Sequence, residues 1–182
     1  ARVDTATVFR IASMSKSFAA LAILQLRDEG KLSLDEPAAR YVPELASLRY
    51  ASTDAPRITV RHLLTHSAGF PEDNPWGDRQ LAIPDDTVGA WLRAGLPFST
   101  TPGTAYDYTS VNTFILGWLA ERITGMRFAD LVSEEIWSRI GAESDALISS
   151  SRCGAVAHHG GIVTRLRDLA RFGLLFTPSW EI

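Results

Sequence analysis

Apolar and polar positions alternate at two different periods along the chain. Around the stretch SKSFAALAILQLRDEGKL, the residues Phe18, Leu21, Ala22, Leu24 and Leu26 recur at helical spacing. This predicts a helix over about residues 13–29, with Gly30 just past its end. The preceding TVFRIA, residues 7–12, is alternating and β-branched, which suits a short extended lead-in. Pro37 and Pro43 punctuate LSLDEPAARYVPEL into a loop or short helical turns. Thr59 is placed to N-cap a helix through VRHLLTH. The polar PEDNPWGDRQ reads as a surface loop, where Asp73, Asn74 and Trp76 suit surface packing better than a substrate mouth. DDTVGAWLRAG has the pattern of a further short helix. PFSTTPGTAYDYTS is a loop with a Pro102-Gly103 turn. VNTFILGWLAERITG is a strong helix that stops at Gly125, and FADLVSEEIWSRIG is a second one behind it. In HHGGIVTRLRDLARFGLLF, Thr164 is placed to cap a final helix. Some six helices and very few strands result, without repeats or low-complexity segments.

Length and composition narrow the class. The 182 residues, 46% of them hydrophobic, suffice for a core of one domain or for part of a larger one. A net charge of −3, with cations scattered singly, gives no basic stripe for nucleic acid. No apolar run approaches the roughly 18 residues of a membrane span. The single cysteine, Cys153, excludes an internal disulfide framework and reads as an inert small apolar residue. His62 and His66 are spaced i, i+4, but no acidic third ligand accompanies them, so no metal or cofactor is expected.

Lysine usage supplies the first chemical signal. The chain has two lysines against sixteen arginines, and one of them, Lys16, stands three residues after Ser13. Residues three apart on a helix share a face, which aims hydroxyl and amine at one space. A lysine amine in an apolar setting can release its proton and take one from serine. A guanidinium cannot. The helix N-terminus adds partial positive charge that favours a developing alkoxide. Lys31, in DEGKLS, has Asp28 three before it instead of a serine and reads as a solvated helix-end charge. S-x-x-K alone recurs by chance. Tyr106 and Tyr108, on the loop before the VNTFILGW helix, add phenols fit to carry a proton to a leaving group, although each alone suits simple packing.

The combination resembles the serine β-lactamase-related superfamily, which includes class C β-lactamases, D-Ala-D-Ala carboxypeptidases and family VIII esterases. FRIASMSKSF is similar to its nucleophile helix, ITVRHLLTHSAGF to its LLTH-[ST]-[SA]-G segment, PGTAYDYTS to its Y-x-N region, and GGIVTRLRDLARFG to its GG-x-x-[ST]-x-x-D-L-A-R-F-G segment. The four segments keep the family order and span residues 7–175. Counted from Pro102-Gly103, the family tyrosine falls on Tyr108, and Ser110 stands where asparagine is usual. This Y-x-S resembles the 6-aminohexanoate-dimer (nylon oligomer) hydrolases. Asn112, two residues on, is a possible source of the replaced amide.

The resemblance implies an α+β fold, β-lactamase/DD-peptidase-like, with an antiparallel sheet and a helical domain. Residues 1–182 are then the central segment, with a helical region about 59–176 and most of the sheet absent. It implies an acyl-enzyme serine hydrolase with Ser13 as nucleophile, Lys16 as base, Tyr108 as proton relay and Ser110 in support. Substrates are small esters or amides. A β-lactamase, a D-alanyl-D-alanine carboxypeptidase or a non-catalytic penicillin-recognising domain of the same fold is the alternative. The closing K-T-G or H-x-G motif, with a second oxyanion donor, is expected on missing sheet segments, so these residues alone are expected to be inactive. His158-His159-Gly160-Gly161 falls on the loop before a helix in the resemblance and reads as structural. Localisation stays open: likeness to the nylon oligomer hydrolases implies the cytoplasm, while the abrupt ARVDTATVFR leaves room for an export signal before it.

Overall fold

A computed structural model describes residues 2–50, 52–71, 97–150 and 154–178. The predicted 85–95 helix, the loop residues Asp73, Asn74 and Trp76, and Cys153 lie outside the described residues. Strand β1 (Val8–Arg10) leads through a 3-10 turn (Ala12–Met14) into α1 (Ser15–Asp28). Two further 3-10 turns, Ala38–Arg40 and Pro43–Ser47, precede α2 (Val60–Leu64). After the undescribed stretch come α3 (Ser110–Thr124), α4 (Phe128–Val132) and a turn of π-helix (Ser133–Trp137). Strands β2 (Leu147–Ile148) and β3 (Ile162–Arg165) then lead to α5 (Leu166–Leu174).

Local chemistry accounts for most boundaries. Thr59 caps α2 reciprocally: its Oγ1 accepts from His62 N at 3.2 Å, and its own N–H donates to His62 Nδ1 at 3.3 Å. Gly125 closes α3 in the left-handed region (φ 69°), as its place in the sequence suggests. The predicted helix over FADLVSEEIWSRIG forms, but its middle widens into the π turn, closed by Ser138 N–H donating to Ser133 O.

Two expectations are corrected. The first helix starts at Ser15, and Ser13 sits on the 3-10 turn before it. Thr164 is not a helix cap: it lies in β3 opposite Phe9 of β1, and Arg165 precedes α5. The β-branched run Ile162-Val163-Thr164 favours a strand, and its partner is 155 residues earlier in the chain (164 − 9), invisible to local patterning. β2 pairs antiparallel with β3 on the other side, giving the order β1-β3-β2. Strand is thus present within the region read as helical.

Helix α1 stands between two apolar clusters. Ala22, Ile23 and Leu26 pack with Val42, Leu45, Leu63, Ile115 and Leu119 in the larger one. Phe18 and Ala19 join Phe128, Ile136, Trp137, Ile162 and Phe172 in the smaller. Phe18 stacks on Phe172 with ring centroids 3.7 Å apart, binding α1 to α5. α3 is buried on almost every side from Ser110 to Ala120, which fits its lack of charge before Glu121. Among the described residues no helix is long and apolar enough to cross a membrane.

Candidate active site

The N-terminal end of α1 is fastened to the sheet by one backbone bond and one serine hydroxyl. Ile11 N–H donates to Ile162 O at 3.0 Å, and Ile162 N–H donates to the buried Ser15 Oγ at 3.2 Å. Between these anchors Ala12 is held in the left-handed region, φ 48°, at a cost of roughly 1–3 kcal/mol for a residue with a Cβ. The result is a sharp turn that leaves Ser13 exposed while Ser15, two residues on, is buried.

Lys16 reaches back over this turn. Its Nζ donates to Ser13 Oγ at 3.2 Å and to the His159 carbonyl at 2.9 Å. The amine lies 5.0 Å from the centroid of the Tyr108 ring. Burial pushes the Tyr108 phenol up, but hydrogen bonding with Lys16, then with Ser13, and the lysine charge prevail and bring it below its ordinary value. Ser13, Lys16 and Tyr108 therefore converge. Ser110 opens α3 and is buried, and no hydrogen bond joins it to Ser13 or Lys16. Tyr106, the other phenol of the loop, is 69% exposed and meets the His66 ring edge-on at 6.0 Å.

The tyrosine loop is laced to the chain that follows α2. Ser99 N–H donates to Gly69 O, Gly103 N–H to Ser67 O and Asp107 N–H to His66 O, each at 2.8 Å. His66 adds its side chain. Its ring lies 4.7 Å from that of Tyr108, and its Nδ1 meets Asn112 Nδ2 at 3.1 Å and the Thr109 N–H at 3.4 Å. Asn112, the possible replacement amide, is thus turned toward His66 and is buried. Burial, and next the Lys16 charge, push the His66 imidazole down, against the bond from Thr109. His62 is occupied separately in the α2 cap, and among the described residues no group of three or more His, Cys, Asp or Glu side chains is disposed to hold a metal.

The HHGG segment enters the site through its main chain, which the sequence reading does not foresee. His158 is buried edge-on to Phe114 and Phe128, at 5.0 and 4.8 Å. Its ring lies so close to Gly117 that a Cβ there would sit 2.1 Å from His158 Cδ2. Fixing His158 fixes the next carbonyl, the one that accepts from Lys16. The glycine inside the apolar VNTFILGW helix is the one local sign of this contact. The His159 imidazole is pushed down to about 4, by burial first and then by Lys16, His158 and Arg10.

Comparison with known proteins places the chain's sequence and fold in a family. The chain is 34% identical over 173 residues to the 6-aminohexanoate-dimer hydrolase of Paenarthrobacter ureafaciens, covering 88% of this chain and 43% of that protein. It is 33% identical over 177 residues to esterase EstB of Burkholderia gladioli, covering 89% and 45%. A solved class C beta lactamase, 26% identical, superposes over 95% of this chain and 51% of its own with a TM-score of 0.74. A beta-lactamase/D-alanine carboxypeptidase from Yersinia pestis, at 24% identity and a TM-score of 0.77, shares the fold over 97% and 55%. The chain spans about half the length of the curated relatives it matches. The family model described as Beta-lactamase matches residues 1–179, and the chain belongs to that family.

Proposed function

We propose that the protein carrying this chain is a serine hydrolase that cleaves a small ester or linear amide through an acyl-enzyme. One observation carries the reading: an exposed serine hydroxyl accepts a hydrogen bond from Lys16 at 3.2 Å, beside a phenol whose acidity that lysine raises. Lys16, entering the step as the free amine, takes the Ser13 proton as Oγ bonds to the substrate carbonyl carbon and the carbonyl π pair moves to oxygen. The tetrahedral oxyanion is met by the Ser13 N–H on the 3-10 turn before α1. Collapse breaks the bond to the leaving group, which receives the proton through Tyr108. Water then attacks the acyl carbon, the acid leaves, and the proton returns to Ser13 Oγ. Ser110, buried at the start of α3 two residues after Tyr108, is assigned a supporting role from the Y-x-S sequence.

A second assignment of the base rests on the Lys16 amine 5.0 Å from the Tyr108 ring centroid, beside which the phenol is lowered. Here Lys16 stays an ammonium and Tyr108, as phenolate, takes the Ser13 proton. The substrate class follows from the Y-x-S sequence and from what the two similar proteins are named for, an esterase and a dimer hydrolase. The relatives' greater length supports a site completed by the closing K-T-G or H-x-G motif and a second oxyanion donor beyond these residues.

The test is covalent labelling with a fluorophosphonate, joined to turnover of nitrocefin, short p-nitrophenyl esters and 6-aminohexanoate dimer. Labelling at Ser13 with ester or linear-amide turnover is the expected result. Turnover confined to nitrocefin moves the protein to the β-lactamases, and absence of any Ser13 adduct ends the catalytic reading.

A further inference from the structure

We infer that His66 is a positioning residue for this site: its neutral Nδ1 gathers the start of α3, and its ring backs Tyr108 so that the phenol faces Lys16 and Ser13. The inference rests on the proposed hydrolase reading for its consequence, and on geometry for its substance.

The backbone at His66 is the first part of the argument. Past α2, His66 N–H donates to Leu63 O and Ser67 N–H donates to His62 O, closing the helix with paired bonds. Such an ending puts its outer residue in the left-handed region, where glycine is usual and asparagine next. His66 occupies that place with φ 53°. Few residues with a Cβ enter this backbone, histidine among the more frequent of them, and glycine would hold it with less strain. What it supplies is therefore sought in its side chain.

The side chain is used on both its face and its edge. The Thr109 N–H can only donate, so Nδ1 must accept, and the ring proton sits on Nε2. The same lone pair draws the Asn112 amide. Thr109 is the N-cap of α3, and Asn112 lies in its first turn, so one nitrogen fixes the point from which Tyr108 departs. The ring then stands 4.7 Å from Tyr108 at 35°, and the His66 carbonyl takes the Asp107 N–H. Asp107 turns its carboxylate to Ser99, so among the described residues Lys16, Tyr106 and Tyr108 are the titratable groups that face the imidazole. Protonation of Nδ1 would replace the acceptor with a donor and break the clamp.

Two substitutions separate positioning from folding. His66→Gly suits the left-handed backbone and removes the clamp. His66→Asn tolerates the same backbone and returns an acceptor oxygen close to the Nδ1 position. Each is made in the full-length protein, and the phenol of Tyr108 is titrated by its phenolate absorbance against Tyr108→Phe as blank. Thermal midpoint, kcat and KM are measured alongside. In His66→Gly the expected results are an unchanged or higher midpoint and a Tyr108 titration moved to higher pH. A kcat loss of about 10- to 100-fold with KM within about twofold accompanies them. His66→Asn restores most of both. Parent-like phenol titration in His66→Gly overturns the inference, as does a kcat loss that follows the midpoint or is not relieved by asparagine. If the parent hydrolyses nothing while the titration still shifts and is rescued, the positioning stands and the hydrolase reading fails.

Discussion

The two flanks of the site are held in different ways. The Ser13–Lys16 flank is fastened to β3 by one main-chain bond and the Ser15 hydroxyl, and by a lysine three residues from its partner. The Tyr108 flank hangs on a loop laced to residues 66–69, with one histidine as its only side-chain clamp among the described contacts to Thr109 and Asn112. Short range and backbone make the first flank rigid. The second depends on pieces far apart in sequence, and its precision is set by one side chain's protonation and rotamer. A nucleophile can be built into a turn, whereas a proton carrier has to be delivered to it.

The contrast is sharpest in loss of chemistry. Ser13→Ala should abolish adduct formation, and Lys16→Arg should slow it by about 1,000-fold or more, because the replacement keeps charge and removes a usable lone pair. Rates of acylation by a p-nitrophenyl ester measure both. A Lys16→Arg protein acylating within tenfold of the parent would remove Lys16 as the base and leave it the role of a charge beside the Tyr108 phenolate. Tyr108→Phe comes next, with an expected loss of about 100-fold. Its pH–rate profile decides the base: loss of the low-pH limb assigns proton abstraction to the phenolate, while a retained limb assigns it to Lys16.

How much of this was legible follows the same division. The Thr59 cap and the Gly125 stop are local patterns found where the sequence puts them, and the S-x-x-K spacing does bring Lys16 to Ser13, although Ser13 stands on a 3-10 turn before the helix and not on it. The left-handed Ala12 leaves no mark in composition, because the sheet imposes it. Thr164 misleads for a related reason: a β-branched residue before a helical pattern serves as cap or as strand, and β1 decides. His66 and His158 are the strongest case. Their i, i+4 and HHGG settings give no role to either ring beyond a helix face and a structural loop, and only folding shows one ring against Tyr108 and the other against Gly117.

The carbonyl that accepts from Lys16 offers a test through stability. His159 is neutral in the fold, lowered from 6.5 to about 4, whereas the unfolded chain binds a proton near its ordinary value. The unfolded state thus holds more protons between those limits, and stability rises with pH across them. Full stability is expected above about 6.5, with a loss on the order of 2–3 kcal/mol as pH falls to about 4. Urea melts of the parent and of His159→Asn should differ in slope by about one proton in this window. Equal slopes would mean that this imidazole is not what the segment buries.

The smallest expected effect separates anchoring from chemistry within one flank. Ser15 and Ser13 are two residues apart, yet the buried Ser15 hydroxyl accepts from Ile162 N–H and faces away from the exposed turn. Ser15→Ala strands that N–H in the interior, at a cost of about 1–3 kcal/mol. Chemical melts should register this in full, while the extent of Ser13 labelling, given time, stays at the parent level. Because the same bond holds the turn against β3, the labelling rate should fall only a few-fold, about threefold by the loss of one positioning contact. A loss of labelling as deep as that of Ser13→Ala would make the two serines one functional unit, and the backbone would then be insufficient to hold the nucleophile on its own.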